Sequence, residues 1–427
     1  MNDDLRAIDR QLAGRETIAV ERLEAWCGLS SYSRDVGGLL RMSEKLLGAL
    51  EEFPADVDVR ALPDEMTIDD AGEAIAQPLG RLIVARCRPE APRQVLLGIH
   101  YDTVYPSFAR ERIRLLDGRR LAAPGGADAK GGIVVMLEAL RAFEGIDGAD
   151  ELGWELFLNP DEELGSPGSR EYLAGATGRF DLALLFEPAL PDGARVSSRK
   201  GSGNFTLVVD GRAAHAGRDF AAGRNAVVHA ARLIERLNGF NGRFGDSTFN
   251  VGRVVGGGAS NVVPDRAVVR LNVRVDRTER IASIDHALGE LVETFDAEEG
   301  YGCRMHGAVT SPPKRPDADG RRLIELFDEV DRAVGPAPYG VSPPGGSFGT
   351  WRETGGVCDG NKLAAAGIPN VDTCGPVGGE LHSEREWVAL DSLIDRARRA
   401  AMILARHARG TSGLSRFDRL GNNAADG

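Results

Sequence analysis

The apolar residues of this chain recur with two different periods, and the points where one period yields to the other organise it. Residues 94–99 (Gln-Val-Leu-Leu-Gly-Ile) form an almost unbroken apolar run, the mark of a strand covered on both faces. Residues 154–159 and 181–186 repeat that pattern. Between the first and second runs, Ile133, Met136, Leu137, Leu140 and Phe143 fall at helical spacing and predict a helix with one apolar face. Residues 1–53 also read as helical, through Ile18, Leu23 and Trp26 and again through Leu39, Leu40, Met42, Leu46 and Leu47. They are expected to pack on the outside of a sheet. The alternation of runs and helices predicts an α/β fold with an open mixed sheet.

From about Lys200 the pattern changes. It predicts a strand over 204–209, a helix over 225–237, strands over 248–255 and 267–275, a helix over 281–295 and a strand over 303–309. This β-α-β-β-α-β order is that of a ferredoxin-like module. The earlier pattern resumes with a helix over 320–334 and closes with one over 392–406. The expected organisation is therefore a first domain built from residues 1–200 and 315–409, interrupted by an inserted domain over 201–314. Residues 410–427 are polar and expected to be disordered. A length of 427 residues agrees with two domains.

Composition narrows the partners. A net charge of -12, with 64 acids against 52 bases and no long basic run, argues against a nucleic-acid surface. No stretch approaches the length of a membrane span, and the first residues lack the basic start and apolar core of a signal peptide, so a cytoplasmic protein is expected. The five cysteines, Cys27, Cys87, Cys303, Cys358 and Cys374, are odd in number and show no Cys-x-x-Cys spacing. Neither a disulfide framework nor a zinc knuckle is suggested.

The chemistry collects at strand ends. His100 closes the first apolar run with Asp102 two residues on, a pairing in which the ring can bind a metal while a carboxylate holds it. Glu162 and Glu163 follow the second run, and neighbouring side chains of an extended segment point to opposite sides, so one can ligate while the other stays free. Glu187 tips the third. Asp128 stands in a glycine-rich turn, residues 125–132, expected to be exposed and to place this acid where it bridges two metal ions. Taken singly, such stretches are also what capping acids, surface histidines and acidic turns look like. Open α/β sheets bind ligands beyond the carboxyl ends of their strands, and His100, Glu163 and Glu187 are all expected there.

Further polar residues stand in turns. His215 lies among small residues in 211–217, Asn261 follows three glycines in 256–264, and Arg274 ends a predicted strand. The Gly355-Gly356 turn leads toward a short helix, where backbone N–H groups can receive an anion. It follows a loop over 339–349 rich in proline and glycine. His382 precedes the last helix.

In order, the stretches His100-Tyr-Asp102, Asp128-Ala-Lys-Gly-Gly132, Asp161-Glu162-Glu163-Leu-Gly-Ser166, Glu187-Pro188 and Leu381-His382-Ser383 resemble the co-catalytic zinc peptidases. That family includes G-type glutamate carboxypeptidase, aminoacylase, acetylornithine deacetylase and succinyl-diaminopimelate desuccinylase. The resemblance implies a zinc-peptidase catalytic domain carrying a lid and dimerisation domain, hence a homodimer. It implies two divalent metal ions per subunit, one on His100, Asp128 and Glu187 and the other on Asp128, Glu163 and His382. A shared carboxylate can hold two ions roughly 3.5 to 4 Å apart. Zinc suits these ligands, and manganese or cobalt is admitted too. Asp102 would orient His100, Glu162 would be the general base, and His215 would donate to the oxyanion from its own or a partner subunit.

The likeness is greatest to the G-type carboxypeptidases, through residues 161–170, His215-Ala-Gly217 and Ser260-Asn261-Val-Val-Pro264. It implies a small-molecule substrate with a carboxylate, gripped here by Asn261, Arg274, Arg315, Gly355 and Gly356, with Arg315 as the main charge contact. The reading is a metal-dependent hydrolase of a peptide or N-acyl amino acid. Two alternatives stay open: the same metals acting on a non-peptide C–N bond, and a binding protein without catalysis.

Overall fold

Val95, Leu97 and Ile99 of the first apolar run point into one hydrophobic core and Leu96 into another, so both faces of the strand Arg93–His100 are covered. The computed structural model describes residues 2–106, 113–336 and 350–417. In it, Arg93–His100 pairs in parallel with Leu152–Asn159 on one side and Leu182–Leu185 on the other. The six-stranded sheet runs in the order Asp56–Ala61, Arg81–Cys87, Leu152–Asn159, Arg93–His100, Leu182–Leu185, Asn370–Val371. Its first two pairings are antiparallel and the rest parallel, so it is open and mixed, as expected.

One face is covered by the helices Gly132–Glu144 and Asp391–Ala408 together with the amino-terminal helices Asn2–Leu12, Glu16–Cys27 and Val36–Leu50. The expectation that residues 1–53 pack outside the sheet holds, and Leu23, Leu39, Met42 and Leu46 are fully buried there. The helix Asp359–Ala365 closes a smaller core on the opposite face.

The inserted unit is a four-stranded antiparallel sheet in the order Thr248–Gly256, Arg266–Val275, Gly201–Asp210, Gly302–Ser311. The helices Ala226–Asn238 and Ile281–Asp296 bury their apolar sides against one of its faces. Asn225 starts the first of them by accepting the N–H of Val228. Chain order and strand order together are ferredoxin-like. Both connections to the first domain are fastened at one point. Arg199 and Lys314 pair across an antiparallel bridge, and both reach Asp372, at 2.8 and 3.0 Å from the guanidinium and 2.7 Å from the ammonium.

A second tie was not visible in the hydrophobic pattern. The hairpin Glu65–Ile68 and Ala74–Gln77 reaches from the first domain to the open face of the inserted sheet. There Arg270 donates to the Ile68 carbonyl and to Asp70, each at 2.9 Å, while Arg266 meets the Ala71 carbonyl at 2.8 Å and Glu73 at 2.6 Å. Arg253 also pairs with Asp70.

Two expectations need amending. In the tail, Leu414 is buried and the N–H of Arg416 donates to Asp181 at 2.6 Å, so residues 410–417 are held by contacts that composition does not reveal, while 418–427 lie outside the described residues. The proline- and glycine-rich loop over 339–349 lies outside the described residues. All five cysteines are buried and free.

Candidate metal centre

Three strand ends and one glycine turn build the site. His100 is the last residue of its strand, and Glu187 stands two residues beyond the strand Leu182–Leu185. Between them sits the turn Gly126–Gly131, which runs into the helix Gly132–Glu144. Gly125 opens it at φ 71°, a left-handed conformation that glycine adopts without strain. A Cβ on Gly132 would lie 2.0 Å from the carbonyl oxygen of Phe186, so only glycine lets the helix start rest on the strand end that carries Glu187. The Asp128–Ala129 peptide is cis.

The turn is not exposed, as the sequence led one to expect. Asp128 is buried, and the backbone N–H groups of Gly125, Ala127 and Asp128 all donate to the Glu386 carboxylate. Lys130 is buried as well and donates to the Leu29 carbonyl at 2.7 Å. The turn is covered because its polar groups are satisfied from within.

Two groups of ligand-type side chains meet at Asp128. His100 Nε2 lies 3.0 Å from Asp128 Oδ1 and 3.7 Å from Glu187 Oε2. His382 Nε2 lies 3.3 Å from Asp128 Oδ2 and 3.3 Å from Glu163 Oε2. Within each group the candidate ligand atoms are all within 4.8 Å of one another. His382 is the open side of the centre: its side chain is 54% exposed, whereas that of His100 is 1% exposed.

The electrostatics ask for cations. Burial opposes charge on His100, yet Glu187, Asp102 and Asp128 outweigh it and raise its pKa well above the ordinary value. Hydrogen bonds donated to Asp128 and Glu163 push His382 up to about 11. Burial would raise Asp128, but the two histidines hold it below the usual carboxylate range. Burial lifts Glu163 to about 7, and one of its oxygens, Oε1, is buried with no hydrogen-bond partner among the described residues. Three converging carboxylates, two imidazoles and an orphaned carboxylate oxygen form a donor set that divalent metal ions fit.

Glu162 stands beside this set. Residues Glu162–Leu164 form a tight helical turn and not the extended segment assumed from sequence, so the separation of Glu162 from Glu163 comes from that turn. The turn is fixed by Asp161, which accepts the N–H groups of Gly168 and Ser169, and by Asp102, which accepts those of Glu162 and Glu163. Burial raises the pKa of Glu162 well above normal, with Glu187, Asp359 and Glu163 adding to the effect and His100 opposing it. Asp102 also receives the Ser33 hydroxyl at 2.7 Å. His100 Nδ1 is 3.3 Å from the Asp102 carboxylate and 3.0 Å from its carbonyl oxygen, so backbone and side chain both orient the ring.

The remaining sequence-predicted residues fall in two places. His215 and Asn261 share an exposed edge of the inserted domain, where Ala216 N–H donates to the Asn261 carbonyl at 2.9 Å. His215 Nδ1 there accepts the N–H of Gly217 at 3.1 Å. Arg315 and Gly355 line a cavity of about 230 Å³ between the domains. Arg274 reaches the Gly355 carbonyl at 3.4 Å, and Arg199 the Gly356 carbonyl at 3.2 Å. Arg315 itself approaches the Asp276 carbonyl at 3.3 Å and Glu353 at 3.9 Å. Among the described residues, no hydrogen bond or ion pair joins these five residues or His215 to the metal-type cluster. Sequence reasoning missed Ser33, Asp372 and Glu386. Only Glu386 left a signal, as an acid four residues after His382.

Comparisons with known proteins agree with this division. Residues 83–222 match the model of peptidase family M28, and residues 197–299 that of the peptidase dimerisation domain. The first match holds every metal-type residue of the cluster except His382. Carboxypeptidase G2 from Pseudomonas sp. (strain RS-16) is 29% identical over 76% of this chain and 77% of its own length. Succinyl-diaminopimelate desuccinylase from Methylobacterium sp. (strain 4-46) is 28% identical over 73% and 79%. A tripeptidase structure from Staphylococcus aureus superposes with a TM-score of 0.69 at 21% identity, covering 92% of this chain and 99% of that one. The likeness to the co-catalytic zinc peptidases, and the catalytic domain with an inserted ferredoxin-like unit, are both borne out.

Proposed function

We infer that this chain, which resembles the co-catalytic zinc peptidases in both its parts, is a two-metal hydrolase cleaving the amide bond of a peptide or N-acyl amino acid. The observation that carries the reading is the pair of ligand groups sharing Asp128, with the half-buried Glu162 beside them. His100, Asp128 and Glu187 would hold one ion, and Asp128, Glu163 and His382 the other. Bound there, two divalent cations supply Lewis acidity toward a water and a scissile carbonyl. Glu162 takes the proton of the attacking water and delivers it to the leaving amine, the two halves of general acid–base catalysis carried by one carboxyl. Asp102 keeps the His100 ring in place during this exchange.

Zinc is the proposed metal, by its preference for imidazole and carboxylate donors. The dimerisation-domain match supports a homodimer. In that dimer His215, exposed at the edge of the lid, donates to the oxyanion of the partner's site. Mixing His215→Ala with Glu162→Ala subunits tests this, since verified mixed dimers without regained activity would rule out a shared site. A substrate carboxylate is assigned to the lid side, with Arg315, Arg274 and the Gly355-Gly356 turn at the interdomain cavity and Asn261 beside His215. An Arg315→Ala variant with an unchanged Michaelis constant would remove Arg315 from that role. A cytoplasmic location is supported by the five buried free thiols. Among the described residues no helix is long and apolar enough to cross a membrane.

The deciding experiment measures metal content and follows hydrolysis of N-acyl amino acids and dipeptides before and after chelation. About two ions per chain and chelator-sensitive amide cleavage are expected. Bound metal without amide cleavage would move the reading to another C–N bond, and failure to bind metal would end it.

A further inference from the structure

Glu386 is a buried carboxylate, 1% exposed, that the proposed chemistry does not use. Its Oε1 accepts the N–H groups of Ala127 at 2.9 Å and Asp128 at 3.0 Å. Its Oε2 accepts the N–H of Gly125 at 2.9 Å and lies 2.5 Å from the Tyr105 hydroxyl. Three N–H groups of one glycine turn thus converge on a single anion, a backbone nest filled by the protein's own side chain.

The same residue is tied to the second ligand turn. Its N–H donates to the Ser383 carbonyl at 3.2 Å, and its carbonyl accepts the N–H of Ala123 at the same distance. The Tyr105 hydroxyl is also 3.0 Å from the Ser383 carbonyl, beside His382. His382 has φ 59° and Glu380 φ 56°, left-handed conformations that need support from their surroundings. One carboxylate therefore joins the turn carrying Asp128 to the turn carrying His382.

We propose that Glu386 is the positioning residue of the metal centre, holding Asp128 where both ligand groups share it and keeping His382 at that spacing with the help of Tyr105. The proposal rests on the reading that the two groups bind metal. Glu386 touches neither the reacting atoms nor the ions; it acts through the backbone of Asp128 and the His382 turn. In its absence three buried N–H groups lose their acceptor, and the turn must shift to find others.

The test titrates metal-free wild type, Glu386→Ala, Glu386→Gln and Tyr105→Phe with Zn(II) by calorimetry, and records the visible spectrum with Co(II). Thermal unfolding of the metal-free proteins is followed in parallel. Glu386→Ala is expected to weaken metal binding by about tenfold or more and to alter the Co(II) spectrum. Glu386→Gln is expected to fall between, because its amide oxygen can still serve Ala127 and Asp128 while its NH2 faces the Gly125 N–H. Wild-type affinity and spectrum in Glu386→Ala would overturn the proposal, even with lowered metal-free stability, because that pattern belongs to a purely structural residue. If Glu386→Ala does not fold, unchanged binding in both Glu386→Gln and Tyr105→Phe overturns it equally. A wild type that binds no metal defeats the metal reading itself and is distinguishable from both results.

Discussion

The carboxylate of Asp102 accepts the backbone N–H of Glu162 at 3.2 Å, so the residue that faces His100 also sets where the proposed general base stands. Replacing Asp102 by alanine frees the His100 ring and unties the Glu162–Leu164 turn together. Metal affinity and kcat are both expected to fall, each by about 10- to 100-fold. Metal titration combined with steady-state kinetics checks this, and a loss confined to one of the two would show that Asp102 serves only one partner.

Glu162 itself is expected to separate chemistry from metal binding. A Glu162→Gln variant keeps the backbone bond to Asp102 and the shape of the side chain but cannot carry the proton. Activity should drop by about 10²- to 10⁴-fold with metal content unchanged. Elemental analysis alongside kcat decides it, and an active Glu162→Gln enzyme would assign the base elsewhere.

Metal binding should release protons. His382, raised to about 11 by Asp128 and Glu163, is charged at pH 7 in the metal-free protein, and Glu187, Asp102 and Asp128 raise His100 as well. Ligation needs neutral rings and ionised carboxylates, so binding expels protons and affinity rises with pH. Calorimetry in two buffers of different ionisation enthalpy counts them, and a heat that does not vary with the buffer would contradict the expectation.

Acid should weaken the first domain through Asp331. Burial works against its charge, but the Arg195 and Arg399 guanidinium groups hold its pKa down to about 2. A depressed folded-state pKa contributes stability above the unfolded value of about 3.9 and loses it as pH falls toward 2. The shift corresponds to about 2 to 3 kcal/mol. Asp331→Asn should flatten the pH dependence of unfolding between about pH 4 and 2, measured by denaturant titration. It should also destabilise at neutral pH, because the buried Arg195 and Arg399 both lose the Asp331 charge, although Arg399 keeps Asp395.

The hairpin at residues 65–77 should loosen without unfolding the protein. Its tip is held to the lid by Arg253, Arg266 and Arg270, through exposed or half-buried pairs that salt screens. An Arg253→Ala, Arg270→Ala double variant should exchange amide hydrogens faster over this segment while the main unfolding transition stays in place. Unaltered exchange there would show that the Arg266 contacts suffice.

What the sequence determined by itself was the local physics. Apolar runs at 94–99, 154–159 and 181–186 read as strands covered on both faces, and the β-α-β-β-α-β order at 204–309 follows from periodicity that short-range sterics enforce. Because strands carry their last residues to one edge of a sheet, His100, Glu163 and Glu187 were legible as neighbours before any coordinates. What only the tertiary structure decided was every relationship between polar groups distant in the chain. The burial of Asp128 depends on Glu386, 258 residues away, and the turn of Glu162 on Asp102, 60 residues back. The hairpin is docked by arginines some 200 positions on, and the tail by Asp181, 235 residues earlier. Hydrophobic pattern reports which side of an element is buried, whereas a hydrogen bond needs a partner at about 3 Å, and that partner is chosen by the fold.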